Sequence, residues 1–139
     1  MRHGKHTFKI GRTSSHRRCM MANLKKSLIL HGRVETTVRK GKELKREADK
    51  LVTTAKKGGL SATRRASAEL MVSYNKLSTK EARDAKGGNT SAYNGDRQVI
   101  KKLFEVSERN KERNGGYTRL IRTSNRVGDN AERCIVEFL

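Results

Sequence analysis

The stretch from Lys40 to Lys56 can bury one face only, and that face has helical spacing. Leu44, Ala48, Leu51, Val52 and Ala55 recur at i, i+4, i+7, i+8 and i+11, forming a single apolar stripe. Lys40, Lys42, Lys45, Arg46, Lys50 and Lys56 fill the other positions, and Gly58-Gly59 ends the pattern. A helix of this kind must be covered by other elements of the chain.

The remaining segments supply that cover. Thr13-Ser14-Ser15 offers N-caps for an earlier helix carrying Met20, Met21, Leu24, Leu28 and His31, with Gly32 as its left-handed stop. Arg33–Thr37 is short and β-branched, as in a strand. Beyond the double glycine, Ser61 can cap a helix whose buried face is Ala62, Ala66, Leu70, Tyr74 and Leu77, and the two helices form a tight hairpin. Asp96 can cap a fourth, with Val99, Ile100, Leu103, Phe104 and Ser107, broken by Gly115-Gly116. Tyr117–Thr123 and Glu132–Leu139 alternate like strands, and Asn125–Asn130 reads as the turn of an antiparallel hairpin.

The expected fold is α+β: four main helices packed on a small, largely antiparallel sheet, with strands near 33–37, 117–123 and 132–138. Residues 1–13 are polar, basic and without a sustained period, which predicts an extended arm ahead of a single domain over 14–139. Ser78–Gly95 is polar and holds Gly87-Gly88. It reads as a surface insertion with one helical turn in Lys80–Lys86.

Charge decides the partner. The chain of 139 residues carries a net charge of +19. Its first 34 residues hold nine Lys or Arg and no carboxylate before Glu35, and all four histidines (His3, His6, His16, His31) lie there. Such a density repels itself in a free fold and is relieved against a polyanion, where each neutralised phosphate releases counterions. A spanning helix needs ~20 apolar residues, and no run approaches that. The leader lacks the apolar core of a signal peptide; it is Arg-rich and acid-poor like a transit peptide, but the motifs below begin too close to the start for a removable leader. Two cysteines at opposite ends, Cys19 and Cys134, make no disulfide scaffold and point to a reducing compartment, the cytoplasm or its organellar equivalent.

Chemistry is sparse. His3-x-x-His6 and His16-x-x-Cys19 have ligand types at metal-like spacing, but the surrounding cations disfavour a dication, so no metal is expected. Gly41-Lys42 lacks the following hydroxyl and the leading strand of a phosphate loop. Glu43 and Glu47, four apart on a helix face, are expected to pair with Arg46 and Lys50 and not to act as acid and base. No cofactor, small-molecule substrate or enzymatic activity is expected. Arg113-Asn114-Gly115-Gly116-Tyr117-Thr118-Arg119 places two glycines, which admit a close sugar-phosphate chain, beside arginine donors and a tyrosine able to stack on a base.

In order along the chain stand Met1-Arg2-His3, Gly11-Arg12-Thr13-Ser14-Ser15-His16-Arg17, Arg33-Val34-Glu35-Thr36-Thr37, Lys42-Glu43-Leu44, Arg113 to Arg119, and Gly128-Asp129-Asn130-Ala131. With these the chain resembles the bacterial large-subunit ribosomal protein seventeen family over nearly its full length. The resemblance implies a non-catalytic α+β protein of the large ribosomal subunit, bound to 23S-type RNA beside ribosomal proteins twenty-two and thirty-two. Carried over by motif, its RNA contacts fall on Arg2, His3, Arg12, Thr13, Ser14, Ser15, His16 and Arg17, with a second surface at Gly116, Tyr117, Thr118 and Arg119. Lys5, Lys9 and Arg18 join them on charge. Ser78–Gly95 departs from compact members of the family. A histone-like DNA-binding protein is the alternative that the charge alone would also fit.

Overall fold

The stripe of the central helix organises the molecule. In the computed structural model, which describes residues 8–139, helix α2 (Val38–Lys56) buries Leu44, Ala48, Leu51, Val52 and Ala55, none more than 2% exposed. The stripe runs through both halves of the core. Leu44 and Ala48 pack with Met21, Leu28, Val38, Cys134 and Val136. Leu51, Val52 and Ala55 pack with Ile29, Ala66, Leu70, Val99, Leu103 and Tyr117. At about 25 cal/mol per Å² of apolar area, these side chains are the main favourable contribution to folding.

Ahead of it, α1 (Ser14–His31) stops at Gly32, whose φ of 76° only glycine adopts without cost and whose N–H bonds to the Leu28 carbonyl at 2.8 Å. Strand β1 (Arg33–Thr37) follows directly. The buried side of α1 differs from the expected one. It consists of Met21, Ala22, Lys25, Leu28 and Ile29, while Met20 and Leu24 are half-buried and His31 is exposed. The rotation follows from Lys25, whose ammonium lies 3.0 Å from Glu47 of α2 and 3.1 Å from Glu69. A satisfied charge occupies a place that periodicity assigns to an apolar side chain. Glu47 therefore pairs with Lys25, not with Lys50, whereas Glu43 pairs with Arg46 as expected.

Helix α3 (Gly59–Leu70) begins two residues before Ser61 and is entered through Gly58 at φ 66°. Ala62, Ala66 and Leu70 are buried. The helix ends at Leu70 because Met71 takes the left-handed conformation (φ 51°, ψ 48°). Tyr74 and Leu77 thus leave the helix, and Tyr74 is exposed. A short helix α4 (Thr79–Lys86) lies in the expected insertion, longer than one turn and closed by a reciprocal cap between Ser78 and Glu81. Helix α5 (Gly95–Arg109) is capped by Asn94, not Asp96: the Asn94 side chain accepts the Arg97 N–H at 2.9 Å. Asp96 instead accepts from the Lys26 ammonium at 2.8 Å and the Ser73 N–H at 2.7 Å.

Strands β2 (Thr118–Arg122) and β3 (Arg133–Phe138) form the expected antiparallel hairpin, and β1 adds to its other side. The order is β1-β3-β2, all antiparallel, with Val34 opposite Val136 and Val136 opposite Leu120. The last strand is thus the central one. At Gly41 a β-carbon would collide with the Cys134 sulfur and lie 3.2 Å from Leu120 and 3.3 Å from Val136. Gly41 is therefore the point where α2 presses on the sheet. Among the described residues there are five helices and three strands, an α+β fold.

Candidate nucleic-acid interface

Of the expected arm contacts, Arg2, His3 and Lys5 lie outside the described residues. From Phe8 onward the arm is docked. Phe8 is half-buried against the cluster of Met21, Val38 and Leu44, and a turn carries the Arg12 N–H to the Lys9 carbonyl at 3.2 Å. The anchor directs Lys9 and Arg12, both exposed, toward the start of α1.

Thr13, Ser14, Ser15, His16 and Arg18 are exposed there, and Arg17 is half-buried. Thr13 is the N-cap by backbone geometry, with no side-chain capping bond. The first N–H groups of a helix have no intrahelical acceptor and carry the positive end of its dipole, an arrangement suited to phosphate.

Lys9, Arg12, Arg17 and Arg18 line an open trough of about 640 Å³ together with Arg46 and Lys50 of α2, and its lining includes Glu69 and Met71. Its carboxylates are engaged: Glu43 with Arg46, Glu47 and Glu69 with Lys25. The hydrogen bond that Arg46 donates to Glu43 raises its guanidinium above the ordinary pKa, against a smaller effect of burial. Lys9, Arg12, Arg17, Arg18 and Lys50 pair with no carboxylate among the described residues, so the trough presents a surplus of cations. Arg46 and Lys50, four apart on one helix face, were legible from that spacing but not singled out; the role of Lys25 left no mark in the sequence.

The second expected surface is split by the fold. Gly115 and Gly116 are exposed, a β-carbon on either would meet nothing, and Gly116 has φ 64°. Arg113 donates to the Gly116 carbonyl at 3.2 Å. Tyr117, however, is 1% exposed: its ring lies in the core 5.2 Å from the Lys56 ammonium, and its hydroxyl donates to the Arg113 carbonyl at 3.3 Å. Thr118 is likewise buried, donating to Asp49 at 2.9 Å. Stacking of Tyr117 on a base is incompatible with this packing. The surface offers the glycine backbone, Arg113, and Arg119, which is exposed and paired with Glu137. From Arg46 to Lys56 is ten residues, so the trough and this loop lie about 15 Å apart along α2.

Among the described residues no three His, Cys, Asp or Glu side chains gather as metal ligands, and no helix is long and apolar enough to cross a membrane. His16 and Cys19 are both exposed on α1. Burial pushes the Cys134 thiol up, against a smaller pull from Arg122, so it stays protonated inside the sheet face.

The model of the family described as Ribosomal protein L17 matches residues 20–139. The chain belongs to the ribosomal protein L17 family. Proteins named large ribosomal subunit protein bL17 from Chlamydia pneumoniae and Chlamydia abortus are each 59% identical to it over 140 residues, covering 100% of this chain and 99% of theirs. A bL17 of Chlamydia trachomatis is similar to the same extent. The L17 family match begins within α1, so it takes in the trough's α2 and α3 walls, while the full-length relatives extend the similarity through the arm.

Proposed function

We propose that this L17-family chain is a non-catalytic structural constituent of the large ribosomal subunit that binds 23S-type ribosomal RNA. The observation that carries the reading is the set of cations around the trough, Lys9, Arg12, Arg17, Arg18 and Lys50, which have no carboxylate partner among the described residues. Phosphates of an RNA strand fit there as the missing anions, with the open start of α1 as a further acceptor of negative charge. Arg2, His3 and Lys5 continue the contact along the arm, and Thr13, Ser14, Ser15 and His16 supply hydrogen bonds at the helix entrance. Residues 1–13 act as the RNA-binding arm of the body formed by 14–139. The loop at Gly116 with Arg113 and Arg119 makes a second contact through backbone and charge; Tyr117 and Thr118 serve it by fixing the loop from inside.

Ribosomal proteins twenty-two and thirty-two are the proposed protein neighbours. A DNA-compacting role accounts for the charge but not for full-length similarity to large-subunit proteins. Sedimentation of a lysate through a sucrose gradient separates the two: the chain should travel with large subunits and be released from them by high salt. Recovery with the nucleoid instead would overturn the reading.

A further inference from the structure

The chain has three tyrosines, and two of them converge on one arginine in a hollow that shares no lining residue with the trough. The Arg97 guanidinium lies 5.0 Å from the Tyr74 ring centroid and 5.5 Å from that of Tyr93. It is held by hydrogen bonds to Asn75, at 2.8 Å from Nη2 to the carbonyl and 3.0 Å from Nε to the side chain. Beside it opens a hollow of about 370 Å³, lined in part by Gly88, Thr90, Ile100 and Lys101, with no carboxylate in its lining. The volume is near the lower end of the range of about 300–1,000 Å³ for small-ligand sites, room for a single nucleotide but not a duplex.

Attachment of the insertion to the body does not call for these rings. Asn75 already donates to the Ala92 carbonyl at 2.9 Å, Asn94 to the Ser73 carbonyl at 2.8 Å, and Asp96 accepts from Ser73. Yet Tyr74 keeps 43% of its surface exposed, with its hydroxyl 2.9 Å from Ser67 Oγ. Lys101 reaches the Thr90 hydroxyl at 3.2 Å at the edge of the same hollow. Fixed aromatic faces, a guanidinium and an ammonium, without an opposing acid, are the chemistry that receives an anionic π-system.

We propose that Tyr74, Tyr93 and Arg97 form a seat for one unpaired nucleotide of RNA, its base extending the tyrosine–arginine stack and its phosphate meeting Arg97 and Lys101. The seat rests on the chain being an RNA-binding protein but is independent of the trough. It gives the insertion a part in recognition: an unstacked base, as in a loop or bulge, is what it accepts, and a duplex is not.

The test uses the full chain and a short labelled oligouridylate, read by anisotropy, together with tyrosine emission, which no tryptophan obscures. Oligouridylate should quench the emission, and inorganic polyphosphate should not. Tyr74→Leu and Tyr93→Leu should each weaken binding about tenfold with an unchanged salt slope, and Tyr74→Phe and Tyr93→Phe should bind like the parent. The triple variant Arg12→Ala, Arg17→Ala, Arg18→Ala should retain the quenching and lose salt slope. Parent-like binding by the folded Leu variants, or equal quenching by polyphosphate, would overturn the seat. Should a Leu variant fail to fold, the comparison of quenchers on the unaltered chain decides. An unchanged salt slope in the triple variant would instead count against the trough.

Discussion

The α-carbon of Gly41 rests against the thiol of Cys134 so closely that no β-carbon fits between them. Helix α2 and the central strand β3 therefore meet through backbone and sulfur, and this contact sets how the sheet lies on the helices. Gly41→Ala gains helix propensity of up to about 1 kcal/mol but overpacks a closed interface, a cost of about 1–3 kcal/mol. A net drop in melting temperature is expected, with recovery when Cys134→Ala is added. A single variant as stable as the parent would show that the interface has slack.

Lys25 ties α1 to both α2 and α3. Removing it leaves two half-buried carboxylates facing each other, so Lys25→Met should cost about 2 kcal/mol, between the values for surface and fully buried pairs. Adding Glu47→Gln and Glu69→Gln should restore most of the loss, because the uncompensated charge goes with them. Urea unfolding of the parent, Lys25→Met and the triple variant measures this; a triple variant no more stable than Lys25→Met would contradict it.

The pairing of Asp96 predicts a response to acid. Burial alone would raise its carboxyl, but the hydrogen bond from Lys26, the Ser73 N–H and the Lys26 charge outweigh it and hold the pKa below the ordinary value. A depressed carboxyl contributes stability above its unfolded pKa, about 3.9, and loses it as pH falls through the folded value. Asp96→Asn should be less stable than the parent at neutral pH, and the gap should close below about pH 4. Denaturant titrations at both pH values check the sign; a gap that widened in acid would refute the pairing.

Asn94 caps α5 and also holds the turn after α3 through its bond to Ser73. Asn94→Ala should cost about 1 kcal/mol as a lost cap and speed amide exchange at Arg97. Unchanged exchange there would mean that the cap is dispensable.

What could be read ahead of the structure follows from where single-helix periodicity suffices. The stripe of α2 and the alternation of Cys134 and Val136 in β3 each face one layer, and pattern alone located them. Gly32 and the double glycine at 58–59 marked their turns because positive φ leaves few other residue types. Lys25 was hidden because its burial depends on two acids far along the chain. Tyr74 was misplaced because nothing before Met71 announces a left-handed residue, and its partner Arg97 lies more than twenty positions away. Tyr117 shows the same limit at the interface: an aromatic beside two glycines and two arginines has the composition of an RNA contact, and only the packing of the chain turns it inward. The exposed cations of the arm and α1 needed no tertiary knowledge, since charge in such excess has to face outward.

If the trough neutralises RNA phosphates, the arginines that line it must contribute to the salt dependence of binding. The measurement that bears on it most directly is the salt dependence of binding between the full chain and purified 23S ribosomal RNA, for the parent and for Arg12→Ala, Arg17→Ala, Arg18→Ala combined. Each lost phosphate contact should reduce the slope of log K against log salt by about 0.7–0.9, so the triple variant should fall short of the parent by about 2–3 while melting at the same temperature. A folded triple variant with the parent's slope would show that the RNA lies elsewhere and that these arginines do not hold it.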